Sequence, residues 1–389
     1  MSRDAPGPVW LALGGLVAMA AAIGVGRFVY TPILPLMVEG LGMSKTMAGA
    51  IASANFAGYL LGAIVAASPA VSGARRRWLI AALLASTVTT AAMGLSDSTT
   101  AFFVLRFLGG FASAFVLVFS SSLVLERLSE AGRPGLSAVH FAGVGTGIAT
   151  SALLVSAVVA AGGRWQALWL AAGLLSLVAL GLVYVLIPER SQPRLSAGAG
   201  ASTAHRAALR NLVIAYGLFG FGYVITATFL VAIVRASDGL RNLEPVIWLV
   251  VGLSAAPSIA LWNTITRRMG NSRAFALACV LEAVGVGASV FWQTFAGILV
   301  CAVLLGGTFV SITAIGLIEA RRLSAGDASR SVAIMTVAFG LGQIFGPSFA
   351  GFLFDQTGSF LLPSLGAVTA LLVAAGLVVV PASRQTQPA

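Results

Sequence analysis

One arginine lies deep inside the first apolar stretch of the chain, which runs from about residue 9 to residue 38. Arg27 is roughly nine residues, or ~13 Å along a helix, from the nearer end of this stretch. That depth is farther than an arginine side chain comfortably extends toward water. A guanidinium at the centre of a membrane costs ~2.5–3.5 kcal/mol on insertion scales and cannot lose its proton. Its charge must be balanced within the protein, and we expect Arg27 to face a polar cavity.

The residues that follow Arg27 extend this polar face and interrupt its helix. Tyr30 and Thr31 lie on the same face as Arg27 at helical spacing. Pro32 and Pro35 cannot donate backbone hydrogen bonds, so we expect them to break the helix. As a straight helix the stretch would be ~45 Å long against a hydrocarbon core of ~30 Å, so a tilt or a break lets it cross a bilayer.

The composition identifies the class of protein that contains this stretch. The 389 residues are 58% hydrophobic and 9% charged, whereas soluble domains carry about 25% charged residues. The sequence therefore predicts a membrane protein with several spans. Cys279 and Cys301 lie in apolar stretches without the spacing of a disulfide framework or a metal site. We expect them to be packing residues, and we expect no metal or other cofactor.

Apolar stretches long enough to cross a membrane recur along the whole chain. They lie near residues 9–38, 46–70, 78–95, 101–125, 137–161, 165–187, 209–235, 245–266, 274–291, 295–320, 331–354 and 360–381. A break rich in Ser, Gly and Ala separates the first six from the last six, and such composition is typical of a solvated linker. We predict a six-helix bundle over residues 1–188, a cytoplasmic linker over 189–208 and a second six-helix bundle with a short polar tail over 209–389.

The basic residues predict the orientation. If both termini lie on one side, that side carries seventeen arginines and the other side carries four basic residues. Basic residues concentrate in cytoplasmic loops, so we expect cytoplasmic termini and a location in the bacterial inner membrane. The same distribution accounts for the net charge of +11. Because these arginines lie at span ends rather than on one face of a soluble domain, nucleic-acid binding is not expected.

The two halves of the chain repeat one another. At an offset of 196 residues, Gly24-Val25-Gly26-Arg27 matches Gly220-Phe221-Gly222-Tyr223. At an offset of 197 residues, Leu108-Gly109-Gly110 matches Leu305-Gly306-Gly307, and Gly143-Val144-Gly145-Thr146 matches Gly340-Leu341-Gly342-Gln343. Parallel repeats of this kind form two bundles that move around a site near the membrane midplane. No strand precedes the Gly-x-Gly segments, so we interpret them as surfaces for close helix packing rather than phosphate loops.

These features resemble the major facilitator superfamily over the whole chain. The segments that carry the resemblance are Arg106-Phe107-Leu108-Gly109-Gly110, Gly73-Ala74-Arg75-Arg76-Arg77 and Arg267-Arg268-Met269-Gly270. The YbfB/YjiJ-type branch is more narrowly resembled by Gly26-Arg27-Phe28-x-Tyr30-Thr31-Pro32-x-Leu34-Pro35, Gly220-Phe221-Gly222-Tyr223 and Gly342-Gln343-x-x-Gly346-Pro347. The resemblance implies a transporter and an all-α fold of twelve transmembrane helices, in two six-helix bundles related by pseudo-two-fold symmetry.

The resemblance also implies that spans one, four, seven and ten line a central cavity. The resulting substrate-binding candidates are Arg27, Tyr30, Thr31, Arg106, Tyr223, Thr226 and Gln343. We favour Tyr223 because it occupies the position equivalent to Arg27. Two alternatives remain open: Arg106 could extend to the outer interface, and Gln343 could bond a carbonyl that Pro347 frees.

Basic residues after spans two and eight resemble the gating loops of the superfamily. They are Arg75, Arg76 and Arg77 in the first half and Arg267 and Arg268 in the second. The superfamily motif usually carries an aspartate before its basic residues, and neither copy here has one.

Two further ionisable residues are weaker candidates, for proton coupling. Glu282 is the only carboxylate deep in an apolar stretch, and intramembrane carboxylates commonly have a function. Span nine is peripheral by resemblance, so we favour a protonated Glu282 bonded to a neighbouring helix. His140 could relay protons near neutral pH, or it could be a solvated residue at the start of span five.

We therefore predict a secondary active transporter that moves a small organic anion by alternating access, coupled to protons or to exchange. The alternatives are proton-driven efflux of drugs or metabolites and a membrane sensor that does not transport. An enzyme is not predicted, because the sequence shows no nucleophile, metal set or acid–base pair at depth. The expected partners are the substrate and the lipid bilayer, and the expected functional unit is a monomer.

Overall fold

A computed structural model describes residues 7–68, 71, 73–189, 206–237, 239–324 and 328–379. Within these residues the chain forms helices without strands, and twelve of its helical segments are long and apolar enough to cross a membrane. The predicted all-α class and the number of spans are confirmed. The α-helices are Pro8–Met19, Tyr30–Leu41, Lys45–Ala66, Arg75–Ala92, Thr99–Glu130, Ser137–Ala160, Trp165–Leu186, Arg206–Ala236, Glu244–Met269, Asn271–Phe291, Phe295–Leu323, Ala328–Thr357 and Leu361–Val379.

The first two of these helices form span 1, and the remaining eleven are spans 2 to 12 in order. Short 3-10 turns at Met93–Leu95, Pro134–Leu136 and Arg241–Leu243 extend three of the connections. Most of the predicted linker, residues 190–205, and the polar tail, residues 380–389, lie outside the described residues. The boundary between the halves therefore stays a prediction.

The break in span 1 lies upstream of the prolines, so the prediction that Pro32 and Pro35 themselves interrupt the helix is wrong. A π-helical turn at Ala20–Val25 follows Pro8–Met19, and regular helix resumes at Tyr30 and continues through both prolines to Leu41. A proline ring clashes with the carbonyl four residues earlier, which for Pro32 is that of Phe28. This clash accounts for irregular backbone next to Phe28 but not for the π-helical turn at Ala20–Val25.

The repeated glycines are sites of close contact between helices, as predicted. A Cβ atom on Gly24 in span 1 would overlap the backbone of Gly147 in span 5. In the second half, a Cβ on Gly342 in span 11 would overlap the Gly217 carbonyl in span 7. Only glycine permits such an approach of two backbones. Glycine therefore allows close packing of span 1 on span 5 and of span 7 on span 11, which are corresponding pairs in the two halves.

Contacts between the halves follow the pseudo-two-fold relation. Span 1 packs on span 7, span 2 on span 11 and span 5 on span 8. The pseudo-two-fold rotation, which exchanges the halves, converts the contact of spans 2 and 11 into that of spans 5 and 8 and leaves the contact of spans 1 and 7 unchanged. The resemblance implied that spans 1, 4, 7 and 10 line the centre. Here the surface between the halves is built mainly from spans 1, 2, 5, 7, 8 and 11, with spans 4 and 10 packed behind spans 2 and 8 and span 10 reaching Phe28 through Phe309.

Polar contacts hold the halves together near one face of the membrane. We define the terminal face as the one at which span 1 begins and span 12 ends. At the opposite face, the Asp355 carboxylate accepts hydrogen bonds from the backbone N–H groups of Lys45, at 3.0 Å, and Thr46, at 2.8 Å. The start of span 2 is thus capped by a residue from the other half. Nearby, Arg235 bridges Glu39 of the first half, at 3.0 Å, and Glu244 of its own half, at 2.5 Å.

A pair of repeat-equivalent glycines tests the packing around span 4. A Cβ on Gly110 would overlap the Asn55 carbonyl of span 2, whereas a Cβ on Gly307 would meet no heavy atom within 4 Å. We expect Gly110→Ala to lower stability by ~1–3 kcal/mol because the spans must separate. Gly307→Ala is the matched control and should be neutral or slightly stabilising, because alanine favours the helix. Thermal unfolding of the two purified variants measures both effects, and equal melting temperatures would contradict this packing.

Candidate functional site

Arg27 is enclosed by aromatic rings at the break in span 1. Only 5% of the residue is exposed. Its Cζ atom lies 4.4 Å from the ring centroid of Tyr59, 4.5 Å from that of Phe56 and 5.5 Å from that of Phe28. Aromatic faces carry partial negative charge and attract a guanidinium. These rings therefore stabilise the charge in part, and the Tyr59 side chain also forms a hydrogen bond with the guanidinium.

The guanidinium of Arg27 keeps one edge without a hydrogen-bond partner. Its Nε and Nη2 atoms are both buried and unpaired. The ion pairs among the described residues involve Arg75, Arg235 and Arg322, and none of them includes Arg27. The N–H groups of Nε and Nη2 point in parallel along one edge of the guanidinium, which is the geometry that two carboxylate oxygens match. The site can therefore bind a carboxylate through two parallel hydrogen bonds.

Arg106 stabilises the break that carries Arg27. It is 4% exposed, so the alternative that it extends to the outer interface is wrong. Its Nη1 and Nη2 atoms each donate a hydrogen bond of 3.0 Å, the first to the Gly26 carbonyl and the second to the Arg27 carbonyl. At the break the Thr31 N–H bonds to the Phe28 carbonyl instead of that of Arg27. Arg106 thus satisfies backbone acceptors that a regular helix would satisfy itself.

The hydroxyl groups of Tyr30 and Thr31 are used in helix packing. Tyr30 donates to the Ala48 carbonyl of span 2 at 2.9 Å, and Thr31 donates to the Ala227 carbonyl of span 7 at 2.6 Å. The second bond joins the two halves of the molecule. In this conformation both hydroxyl protons are committed to backbone carbonyls, so these two predicted substrate contacts have a positioning role here.

The second half contributes an amide and two hydroxyl groups at a similar depth. The Gln343 Nε2 atom donates to the Tyr223 hydroxyl, so the alternative that Gln343 bonds a carbonyl freed by Pro347 is wrong. The Gln343 Oε1 atom and the Thr226 hydroxyl are buried without partners. The ring of Tyr223 lies parallel to that of Phe309, with centroids 5.8 Å apart. The Phe309 ring in turn meets Phe28, beside Arg27, at 5.7 Å.

Several ring residues at this centre were missed by sequence reasoning. Phe56 and Tyr59 are three residues apart on span 2, and Trp248, Phe309 and Phe339 come from spans 8, 10 and 11. The spacing of Phe56 and Tyr59 places them on one helix face, but that spacing is equally typical of lipid-facing or core residues. Their role becomes visible only when span 2 is packed against the break.

Comparison with known proteins agrees with this architecture. Residues 19–379 match the family described as "Uncharacterised MFS-type transporter YbfB". The chain belongs to this family of the major facilitator superfamily. Its twelve-span fold is similar to that of a crystallised mutant of the nucleoside transporter NupG, with a TM-score of 0.69 and 15% identity, over 97% of this chain and 98% of that one.

A curated relative is also a transporter. A gallate transporter of Pseudomonas putida is 27% identical over 160 residues, which cover 41% of this chain and 35% of the relative. The family and both similar proteins are transporters rather than enzymes. The prediction of a multi-pass membrane transporter is therefore confirmed.

The predicted gating arginines of this YbfB-type transporter brace helix ends at the terminal face. Arg75 donates to Ser122 at 2.7 Å and pairs with Glu126 at 2.9 Å, which joins span 3 to span 4. Arg76 donates to the carbonyls of Tyr184 and Ile187 at the end of span 6. Arg77 is exposed. Glu126 thus supplies the carboxylate that the loop motif itself lacks.

The second half repeats this brace with other residues. At the end of span 10, Glu319 accepts hydrogen bonds from Ser272 at 2.7 Å and from Asn271 at 3.2 Å, both at the start of span 9. Arg322 pairs with the same carboxylate. Arg267 and Arg268 are exposed, and Arg267 donates to Thr264 in its own helix. In the second half the network therefore depends on Glu319 rather than on the arginines that the sequence indicated.

The two predicted proton-coupling residues lie apart from this network. His140 is fully buried, so the alternative that it is solvated is wrong; its Nε2 atom lies 3.2 Å from the Ser121 hydroxyl of span 4. Glu282 is also buried, with Oε2 at 3.1 Å from the Thr308 hydroxyl of span 10. That hydroxyl lies 2.6 Å from the Leu304 carbonyl, its nearer acceptor. The Thr308 hydroxyl is the donor in both contacts, so Glu282 bonds a neighbouring helix as expected, and its protonation stays a prediction.

Arg106 and Arg27 should respond differently to substitution. Arg106→Ala leaves two buried carbonyls without their donor, at ~1–3 kcal/mol for each unsatisfied group. Arg106→Lys should also destabilise, because one ammonium lacks the fork that reaches both carbonyls. Arg27→Ala removes a buried charge that has no hydrogen bond from Nε or Nη2, so it should cost less. Melting temperatures of the variants in detergent measure this order. A smaller loss for Arg106→Ala than for Arg27→Ala would contradict the assigned role.

Proposed function

We propose that this transporter moves a small organic anion by secondary active transport, with a carboxylate of the substrate on the Nε and Nη2 edge of Arg27. The observation that carries the proposal is that both nitrogens are buried without a partner. Leaving a buried charge without a partner is costly, whereas pairing it with hydrogen bonds recovers part of that cost. A substrate carboxylate that pairs with the Arg27 guanidinium therefore lowers the cost of burying this positive charge.

Several features support an anion in particular. The Arg27 guanidinium keeps its proton in a buried site, and the groups closest to it are aromatic rings rather than carboxylates. A cationic substrate would meet this charge with repulsion, which disfavours efflux of cationic drugs. The relative named as a gallate transporter is likewise named for an organic anion.

The proposed mechanism is alternating access between the two halves. Substrate bound at Arg27 lies between the bundles, and the contacts of Asp355, Arg235 and Thr31 close the face opposite the termini. Opening of that face requires these contacts to break, while the braces of Glu126 and Glu319 stay within their own halves. We place both termini in the cytoplasm of a bacterial cell and take the working unit to be a monomer. The linker lies in the predicted stretch 189–208, of which residues 206–208 already belong to the helix Arg206–Ala236.

Arg27 variants test the anion site. Arg27→Ala and Arg27→Lys should both fold and insert, and both should weaken binding of the recognised carboxylate by about 10- to 100-fold, the value of one or two charge-assisted hydrogen bonds. Lysine should not rescue binding, because a single ammonium cannot present two parallel donors. Arg273→Ala, at an exposed arginine without a predicted role, is the matched control.

The measurement is a thermal-shift screen of the purified wild type against small mono- and dicarboxylates, followed by titration of the best ligand into each variant. Unchanged affinity in a well-folded Arg27→Ala protein would refute the anion site. Uptake of the same ligand into proteoliposomes distinguishes the transporter from a sensor that binds without moving its ligand.

Coupling should depend on protons or on a counter-substrate. The energy must come from a gradient, because the sequence contains no ATP-binding motif, and the cavity-lining spans carry no cluster of carboxylates for a sodium site. Glu282→Gln should retain gradient-driven uptake, because a neutral amide resembles the protonated acid that packs against Thr308. The measurement is uptake into proteoliposomes under three separate conditions: an imposed pH gradient, a trapped counter-substrate, or a sodium gradient. Uptake that needs only sodium would contradict it.

A further inference from the structure

The surface between the two halves is lined by aromatic rings from both of them. Phe28 of span 1 meets the ring of Trp248 in span 8 at 6.4 Å and the ring of Phe309 in span 10 at 5.7 Å. Tyr223 lies between Phe309 and Phe339 of span 11, with centroids 5.8 Å away on each side and planes tilted by 10° and 2°. Rings from five spans thus form one continuous group that ends at Arg27.

These rings are also the parts of the site that must separate when the halves move. The contacts of Phe28 with Trp248 and with Phe309 each join the first half to the second. Opening of the site removes both contacts and exposes flat aromatic faces around the guanidinium. A ligand that fills the opened space meets ring faces on both sides and one pair of N–H donors.

Two unpaired polar atoms in the same region make the site different at its two ends. The Nε1 atom of Trp248 is a buried donor without a partner, and Oε1 of Gln343 is a buried acceptor without a partner. The carboxylate end of a ligand is bound by Arg27, so these atoms can meet weaker polar groups elsewhere on its body. The site therefore has one strongly cationic edge and an otherwise aromatic lining with few polar atoms.

We infer that the substrate is an aromatic carboxylate whose ring packs among Phe28, Tyr223 and Phe309 while its carboxylate binds Arg27. This inference rests on the proposed function and specifies the body of the anion. In such an acid the carboxylate group is conjugated with the ring and lies in its plane. Binding of the carboxylate edge-on to the guanidinium therefore fixes the plane of the ring, and ring faces recognise ring faces through offset and edge-to-face contacts.

The test compares ligands of equal charge and similar shape on the wild-type protein. Benzoate and cyclohexanecarboxylate share a carboxylate on a six-membered ring, but only benzoate is flat and carries a π system. We expect benzoate to bind about 3- to 10-fold more tightly for each aromatic contact that is made. Benzamide, which lacks the charge, should not bind. Hydroxybenzoates and their saturated counterparts extend the comparison to ligands with a second polar group.

Variants locate the preference in the ring group. Phe309→Leu should reduce the ratio of benzoate to cyclohexanecarboxylate affinity toward one, with little change for cyclohexanecarboxylate. Phe111→Leu removes a ring that stacks on Phe115 within span 4, so it is the control and should leave the ratio unchanged. The comparison of ligands on wild type decides the matter even if Phe309→Leu folds poorly.

The outcomes separate this inference from the proposed function. Equal affinity for the aromatic and saturated acids, with both lost in Arg27→Ala, overturns the aromatic substrate and keeps the organic anion. Binding of neither acid series overturns the aromatic substrate, and binding of carboxylates that persists in Arg27→Ala overturns both proposals. A preference for aromatic acids that requires Arg27 and Phe309 supports both.

Discussion

The hydrogen bonds from Arg106 to the carbonyls of Gly26 and Arg27 are the contacts on which the rest of the site depends. The backbone is irregular between the π-helical turn and Tyr30, so the carbonyls of Gly26 and Arg27 lack helical donors at the centre of the membrane, where water cannot supply them. The guanidinium of Arg106 supplies two such donors. Asn55 donates in turn to the Arg106 carbonyl at 2.8 Å, which ties spans 1, 2 and 4 into one unit.

This division of labour between two arginines explains why a second buried charge is retained. Both side chains lie deep in the first half and both meet aromatic rings. Arg106 has its terminal nitrogens on backbone oxygens, so its charge is partly balanced by the protein. The Nε and Nη2 atoms of Arg27 lack such acceptors. Arg106 leaves its Nε atom without a partner, whereas Arg27 leaves a whole edge of its guanidinium unpaired, and such an edge matches the two oxygens of a carboxylate.

The sequence predicted those parts of the fold that follow from apolar length and repeated motifs. The twelve spans and the contacts of Gly24 and Gly342 could be inferred because a membrane fixes helix length and only glycine allows two backbones to touch. The break lies upstream of the predicted position, at the π-helical turn Ala20–Val25 and the residues after it, and a clash of Pro32 with the carbonyl of Phe28 does not reach that turn. The side-chain contacts between spans that are distant in the sequence could not be predicted from the sequence alone. Nothing in one sequence states that Tyr59 lies over Arg27, or that Glu126 and Glu319 replace the missing aspartates.

The break also connects the proposed binding site to the closure of the opposite face. The helix Tyr30–Leu41 begins three residues after Arg27, and it carries both Thr31, bonded to Ala227, and Glu39, paired with Arg235. A rigid helix transmits a shift at its first turn to its last. A carboxylate that draws on the Arg27 edge therefore acts on the same short segment that holds the two halves together. Because regular helix is interrupted at the π-helical turn and the residues after it, that segment can pivot without moving Pro8–Met19. In the proposed mechanism, one helix therefore connects the anion site with the contacts that close the opposite face, and no long chain of side chains is needed.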